Sequence, residues 1–259
     1  IAVDYHKPIA FFSLEMDSVQ LVNRLISNVC EISGKKILSG QLSPDEWERF
    51  DSNVRKLRGA PIYIDETPSL SIFELRTKAR RLKKEHGIEV LMIDYLQLMT
   101  ASGMKTNSRQ EEVSAISRSL KGLAKELGIP ILALSQLSRD LEKREGIEGK
   151  RPQLSDLRES GAIEQDADMV LFVHRPEYFH IYDDGHGHDM HGMAQIIIAK
   201  HRKGATGDVT LRFRGEFTRF SNPEDEPQDN FQLPDGMGGE IIGSRINGEF
   251  PSDNNQPPF

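Results

Sequence analysis

The sequence predicts an α/β fold with a mostly parallel sheet and helices on both of its faces. Short apolar runs alternate with segments of helical periodicity, and this alternation favours parallel strands joined by helices. Residues 90–93 (Val-Leu-Met-Ile) are continuously apolar, as expected for a strand that is buried on both faces. Three predicted strands end beside polar groups, at Glu15, Asp94 and Gln136. Because open α/β sheets bind ligands at the carboxyl ends of their strands, we expect these three side chains to share a site.

Capping residues mark the helix starts in the first half of the chain. Asp17 precedes a segment whose apolar residues recur at helical spacing as far as Val29. Ser43 is followed by a proline and two acidic residues, a strong start signal because the acids lie near the positive end of the helix dipole. Ser71 precedes a helix with an apolar face and a basic face, and such a basic face is more often solvated than bound to a partner.

The second half of the chain continues the pattern and then changes to consecutive strands. A polar link precedes a helix that ends at Leu127, with Gly128 at the expected C-cap position. The charged segment 139–158 lacks an apolar period and predicts a long loop. The remaining strands are expected at 130–136, 167–173 and 194–199, followed by a closing C-terminal antiparallel hairpin at 208–213 and 217–220.

Charge divides the chain into a neutral body and an acidic tail. From residue 222 onward there are eight acidic residues and one basic residue, a balance of 1 − 8 = −7, which equals the net charge of the whole chain. Residues 1–221 are therefore neutral overall, and the chain's acidity does not argue against a local basic patch that binds nucleic acid. We predict one domain over 1–221 and a disordered acidic tail over 222–259, where proline, glycine, asparagine and acids dominate.

Cysteine usage and hydropathy indicate the compartment. Cys30 is the single cysteine, so the chain has neither an internal disulfide nor a cysteine-based zinc site, which fits a cytoplasmic protein. No run approaches the roughly 18 apolar residues of a membrane span, and no signal peptide is present. The sequence starts at Ile1 without an initiator methionine, which predicts a piece of a longer chain.

The three strand-end residues match the needs of phosphoryl transfer to water. This reaction needs a carboxylate for the metal, a group that activates the water and a donor that senses the γ-phosphate. Asp94 suits the first role, Glu15 the second and Gln136 the third. An additional cation is often supplied by a neighbouring subunit, and the basic segment 200–204 follows a strand and ends in a glycine. Taken alone, that segment is equally compatible with a basic hairpin tip.

Five motifs resemble the C-terminal ATPase domain of the DnaB-type replicative DNA helicases, in order and over roughly residues 1–221. The most specific is Leu-Arg-Glu-Ser-Gly-Ala-Ile-Glu-Gln-Asp-Ala-Asp, which occupies residues 157–168. The motifs are Phe-Ser-Leu-Glu-Met (12–16), Ile-Asp-Tyr-Leu-Gln-Leu (93–98), Ser-Gln-Leu-Ser-Arg (135–139), residues 155–168, and Ala-Lys-His-Arg-Lys-Gly (199–204).

The resemblance implies a RecA-like fold working as a hexameric ring around single-stranded DNA, with 5'-3' unwinding driven by ATP and Mg²⁺ at the bacterial replisome. It implies that Glu15 is the catalytic base, Asp94 the Walker B magnesium ligand and Gln136 the γ-phosphate-coupled residue. Lys200 and Arg202 would reach the nucleotide of the adjacent subunit. Residues implied to face DNA are Arg158, Glu159 and Gly161. Primase and a helicase loader are the implied partners.

One element of that family is missing from the sequence. The phosphate-binding loop G-x-x-x-x-G-K-[ST] does not occur, since neither Gly34-Lys35 nor Gly149-Lys150 has the required neighbours. We therefore expect the chain alone not to bind ATP productively, and activity to belong to a longer parent protein. Two alternatives stay open: a non-catalytic assembly, primase-binding or loader-binding module, and a RecA-like ATPase of recombination or clock type.

The segment 174–191 is rich in histidine and aspartate. Such clusters can bind zinc or nickel, but the glycines at 185, 187 and 192 favour a flexible tip instead.

Overall fold

The computed structural model describes residues 1–104 and 106–224 of the 259-residue chain. The prediction of a disordered tail falls almost entirely on 225–259, which lie outside the described residues, and it stays a prediction. None of the helices among the described residues is both long enough and apolar enough to span a bilayer. The α-helices are α1 (Ala2–Tyr5), α2 (Ser18–Cys30), α3 (Gly34–Ser39), α4 (Pro44–Arg58), α5 (Ile72–His86), α6 (Arg109–Leu127), α7 (Asp140–Lys143) and α8 (Gly161–Asp166).

In the part of the chain that the structure describes, eight strands form two separate four-stranded sheets. The first sheet is parallel, with the order β2-β1-β3-β4, and pairs Ser13 with Asp94 at its carboxyl edge. The predicted parallel sheet is thereby confirmed. The strands are β1 (Ile9–Ser13), β2 (Ile62–Asp65), β3 (Val90–Asp94), β4 (Ile131–Ala133), β5 (Met169–His174), β6 (Met193–His201), β7 (Gly207–Arg214) and β8 (Arg219–Ser221).

The second sheet is antiparallel, in the order β5-β6-β7-β8. The predicted C-terminal hairpin is confirmed as β7 and β8, and β5 and β6 extend it. Burial alternates along β5, where Phe172 faces the core while Leu171 and Val173 are exposed. That alternation is typical of an antiparallel sheet with one open face. This alternation could not be predicted from the sequence, because the exposed positions of β5 are apolar as well.

The predicted helix boundaries are confirmed by their capping contacts. The Asp17 carboxylate accepts a hydrogen bond of 2.7 Å from the Gln20 backbone N–H at the start of α2. Ser43 and Ser71 each form a capping box with the glutamate three residues later. Gly128 ends α6 with φ +65°, a left-handed conformation that glycine adopts without a Cβ clash.

Two apolar clusters hold these elements together. In the larger cluster, Phe12 and Leu91 of the parallel sheet are fully buried with Leu75 of α5 and Ile116 of α6. A smaller cluster joins β5 and β6 to the 3₁₀ segment Leu154–Ser160, in which Leu157 is buried. The first cluster therefore fixes the edge that carries Asp94, and the second fixes the segment before α8.

The expectation of a structureless loop over 139–158 was wrong in part. The segment contains α7 and two 3₁₀ turns, Glu148–Lys150 and the start of Leu154–Ser160. Leu141 is buried, and the buried carboxylate of Asp156 pairs with Arg144 at 2.6 Å. Charged groups therefore organise this segment through specific pairs, which a search for apolar periodicity does not detect.

Candidate functional site

Glu15 and Asp94 lie together at the carboxyl edge of the parallel sheet. β1 and β3 are neighbours, and the Leu14 backbone N–H donates to the Asp94 carbonyl at 2.8 Å. Burial raises the pKa of the Asp94 carboxyl, the nearby Glu15 carboxylate raises it further, and Arg24 opposes the shift. A cation at this edge would relieve the repulsion between the two carboxylates.

Gln136 is placed at the same edge by the side-chain amide of Gln97. The Gln97 Nε2 donates to the Gln136 carbonyl at 3.3 Å and to the Ser135 hydroxyl at 2.9 Å. The Gln136 N–H donates to the Gln97 Oε1 at 3.2 Å. These contacts fix the Gln136 backbone and leave its side chain exposed, so this side chain is available to a ligand.

Gln97 is itself held by the start of α6. The Arg109 guanidinium donates to the carbonyls of Gln97 at 2.6 Å and Met99 at 3.1 Å, and it also pairs with Glu112. The sequence placed Gln97 within a motif and assigned it no role. One feature of the sequence could have indicated this role. Gln97 is an amide side chain only three residues after Asp94, so it lies close to the end of the neighbouring strand β4.

A cavity of about 380 Å³ opens beside Gln136 and reaches the buried Asp156. The Ser138 N–H donates to the Asp156 carbonyl at 3.1 Å, and the Gln153 N–H donates to its carboxylate at 2.7 Å. Asp156 therefore joins the segment after β4 to the segment that leads into α8. Sequence reasoning included Asp156 in a motif but gave it no role.

Lys200 and Arg202 lie away from these contacts, at the end of β6 and just beyond it. The Lys200 ammonium donates to the Glu164 carbonyl near the end of α8. The Arg202 guanidinium donates to the Gln165 carbonyl at 3.1 Å and pairs with Asp168 at 3.4 Å. Both predicted trans-acting cations thus contact α8 of their own chain.

The predicted DNA-facing residues lie where a 3₁₀ segment meets α8. Arg158 and Glu159 belong to Leu154–Ser160, and Gly161 is the first residue of α8. Basic residues upstream have acidic partners: Lys143 pairs with Asp140 at 2.8 Å, and Arg151 pairs with Asp208. Those two cations therefore help to hold the segment in place.

The histidine-rich segment shows pairing within itself. His188 Nδ1 lies 2.6 Å from the Asp184 carboxylate, and the ring of His191 stacks on Tyr182 with centroids 4.5 Å apart. Among the described residues, no group of three or more histidine, cysteine, aspartate or glutamate side chains is arranged to hold a metal ion. His188 and the backbone of this segment are therefore bonded to Asp184 within one turn.

Comparison with known proteins identifies the family. The model of the DnaB-like helicase C terminal domain matches residues 1–222. The chain belongs to this family. Because the chain is a DnaB-like domain, the alternative of a RecA-like ATPase of recombination or clock type is excluded.

The DnaB-like domain has close relatives of greater length. It is 44% identical over 236 residues to the replicative DNA helicase DnaB of Geobacillus stearothermophilus, covering 91% of this chain and 50% of the relative. The corresponding helicase of Rickettsia prowazekii (strain Madrid E) is 45% identical over 230 residues, covering 84% of this chain and 46% of the relative. The chain thus spans about half the length of these curated relatives.

Solved structures share the fold of this DnaB-like domain. The ATPase domain of G40P superposes with a TM-score of 0.77 at 36% identity, covering 86% of this chain and 76% of that one. A DnaB-like replicative helicase, described with its interactions with primase, gives 0.76 at 36% identity over 86% of this chain and 52% of that one. The predicted RecA-like fold is confirmed by these neighbours.

Proposed function

We propose that this domain is the ATP-hydrolysing motor of a replicative DNA helicase that works as part of a longer protein. In that protein, six copies would form a ring on single-stranded DNA and unwind the duplex in the 5'-3' direction. The observation that carries the proposal is the meeting of Glu15, Asp94 and Gln136 at one sheet edge. The protein would act in the bacterial cytoplasm, at the replisome.

The edge suits Mg²⁺ and a nucleotide. Magnesium in NTPase sites is held by one or two carboxylates together with phosphates and water. Asp94 would hold the ion, whose charge offsets the repulsion between Asp94 and Glu15. Glu15 is exposed next to it and would take the proton of the attacking water. Gln136, with its backbone fixed and its side chain free, would contact the γ-phosphate.

The remaining functional residues would act between subunits and on DNA. We assign Lys200 and Arg202 to the nucleotide of the adjacent subunit, where cations stabilise charge that develops in the transition state. We assign Arg158, Glu159 and Gly161 to the DNA backbone, because a glycine lets backbone N–H groups approach a phosphate and an arginine adds charge. Phosphate contacts carry no direct sequence information, so we expect little sequence preference.

The test uses the full-length helicase and three variants, Glu15→Gln, Asp94→Asn and Gln136→Ala. In each variant, the rate of DNA-stimulated ATP hydrolysis should fall at least about a hundredfold. A general base, or an electrostatic contact to the transition state, usually contributes a factor of this size. The matched control Glu48→Gln changes an exposed glutamate on α4 and should retain activity. Strand displacement from duplex DNA that carries a single-stranded tail at only the 5' or only the 3' end reports polarity. Full activity of Glu15→Gln would refute the assignment.

A second candidate function is recognition of a partner, such as primase or a helicase loader. One observation favours it: a structural neighbour with 36% identity is described together with its interactions with primase. The two functions are compatible, because partner binding needs a surface and not the Asp94 edge. Pull-down of purified primase by the 259-residue chain, with Asp94→Asn binding equally well, would support this role.

A further inference from the structure

Two cations close the C-terminal end of α8. The Lys200 ammonium donates to the Glu164 carbonyl and lies 3.5 Å from the Gln165 carbonyl. The Arg202 guanidinium donates to the Gln165 carbonyl at 3.1 Å. The last carbonyls of a helix have no partner within the helix and carry partial negative charge. Lys200 and Arg202 therefore satisfy groups that a helix of only six residues leaves open.

Asp168 adds a second anchor for Arg202. Its carboxylate lies 3.4 Å from the Arg202 guanidinium and also pairs with Lys121 of α6. Its carbonyl accepts a hydrogen bond of 2.8 Å from the Arg202 backbone N–H. Asp168 thus links α6, the end of α8 and the basic segment after β6.

We propose that this arrangement is a resting position of Lys200 and Arg202, which they leave when the adjacent subunit holds a nucleotide, so that nucleotide binding in one subunit loosens α8 in its neighbour. Asp168 is the positioning residue that holds Arg202 in the resting position. This inference rests on the proposed function, because it takes Lys200 and Arg202 as the cations that act on the adjacent site.

The α8 carbonyls and a nucleotide phosphate would compete for Lys200 and Arg202. The same ammonium and guanidinium hydrogens cannot serve α8 carbonyls and a phosphate at once. Both sets of hydrogen bonds have a charged donor, but a phosphate oxygen carries a full negative charge and the α8 carbonyls carry only a partial one, so the phosphate contacts are the stronger. A ligand shifts such an equilibrium only through a difference in affinity between the two states, and this difference in partner charge provides it.

The consequence reaches the predicted DNA-facing segment. α8 starts at Gly161, directly after the 3₁₀ segment that contains Arg158 and Glu159. The Ala167 N–H donates to the Ile163 carbonyl at 2.9 Å and closes the last turn. Loss of the two cations from that turn would free the helix at the end opposite to Gly161. Nucleotide binding at one subunit would thereby alter DNA contact at the next.

Amide hydrogen exchange over 161–168 in the full-length helicase tests the proposal. The Lys200→Met/Arg202→Met variant without nucleotide should exchange the Ala167 amide about tenfold faster than the unaltered protein, the effect of losing hydrogen bonds from charged donors. A non-hydrolysable ATP analogue with Mg²⁺ should accelerate exchange in the unaltered protein and add nothing in the variant. The control Lys203→Met removes an exposed cation of the same segment and should change neither rate.

Asp168→Asn provides a milder variant that keeps both cations. In this variant, the analogue concentration at which the increase in exchange rate is half-maximal should be about two- to fivefold lower. This factor corresponds to the loss of an exposed ion pair. Equal exchange in the double variant and the unaltered protein would overturn the resting position, whatever the function. Binding of the analogue can be followed with a fluorescent derivative. If the analogue binds and the exchange rate does not change, the proposed link between subunits would be overturned. Failure of the assembled protein to bind the analogue would instead refute the proposed function itself.

Discussion

The side-chain amide of Gln97 forms a reciprocal pair of hydrogen bonds with the backbone of Gln136, at 3.3 Å and 3.2 Å. Gln97 follows β3 and Gln136 follows β4, so the pair joins the ends of two neighbouring strands. Because the Gln136 backbone is fixed in this way, its side chain can act from a defined position. Gln97 is accordingly the residue that fixes the position of Gln136, the proposed contact to the γ-phosphate.

Replacement of Gln97 by methionine should loosen Gln136 while preserving side-chain length. Three hydrogen bonds are lost, at about 0.5–1.5 kcal/mol each, and partial exposure of Gln97 reduces the sum to about 1–2 kcal/mol. Urea unfolding measures this change, and ATP hydrolysis by the full-length helicase should fall with it. Gln110→Met alters an exposed glutamine on α6 and serves as the control. Unchanged hydrolysis in Gln97→Met would show that Gln136 needs no such support.

Replacement of Asp94 by asparagine should stabilise the chain at neutral pH. Burial and the Glu15 charge raise the pKa of Asp94 above its usual 3.8. The folded state therefore binds the proton more tightly than the unfolded state, and the native protein loses stability as the pH rises above 3.8. The neutral amide of the Asp94→Asn variant has no such loss, so the stability advantage of the variant should grow between pH 3 and pH 7.

Thermal unfolding across this pH range measures the Asp94 effect. Glu15→Gln provides a matched comparison, because it removes the repelling charge and retains Asp94. It should recover part of the same stability. A variant Asp94→Asn that is less stable than the native chain at pH 7 would contradict the electrostatic explanation.

Removal of the Asp156 carboxylate should destabilise the segment that precedes α8. Breaking a buried ion pair costs about 3–5 kcal/mol, and the partial exposure of Arg144 lowers our expectation for Asp156→Ala to about 2–3 kcal/mol. Asp156→Asn should cost less, because its amide oxygen can still accept the Gln153 N–H. Urea unfolding and hydrogen exchange at Gln153 measure both effects. Equal costs for the two variants would show that the Gln153 contact contributes nothing and that loss of the charge paired with Arg144 accounts for the whole effect.

The turn that contains Asp184 should open in acid. Burial acts to raise the pKa of Asp184, but hydrogen bonds from the His188 side chain and from the backbone N–H groups of His186 and His188 outweigh it and lower the pKa to about 2. A depressed carboxyl pKa stabilises the fold above pH 3.8, and this contribution is lost as the pH falls through about 2. The backbone amide NMR signals of His186 and His188, which donate to Asp184, should therefore shift between pH 4 and pH 2.

The Asp184→Asn variant is the control for this titration. Asparagine keeps an oxygen for the two backbone N–H groups but has no charge to lose. Its His186 and His188 backbone amide signals should stay constant over the same range. A shift of equal size in Asp184→Asn would assign the transition to another group.

The family, the parallel sheet, the starts of α2, α4 and α5 and the three strand-end residues could be predicted from the sequence. These features depend on local patterns: a capping box needs only Ser43 and Glu46, and the end of β3 at Asp94 follows from a continuous apolar run. That Glu15, Asp94 and Gln136 lie at one sheet edge was predictable because the carboxyl ends of parallel strands lie at the same edge.

Contacts between residues far apart in the chain were decided only by the tertiary structure. The Glu31 carboxylate is paired with Arg214 at 2.9 Å and Arg219 at 2.6 Å, across more than 180 residues, and this docks the C-terminal hairpin on α2. Lys200 likewise reaches the end of α8 across 36 residues.

The difference has a physical reason. Helix caps and strand patterns are set by interactions within a few residues, so the sequence by itself determines them, together with the family and the identity of Glu15, Asp94 and Gln136. A charged side chain can pair with any opposite charge that folding brings near it, and one sequence offers many such choices. Only the packing of the two sheets and α6 selects Gln97 for Gln136, Asp156 for Arg144, and α8 for Lys200.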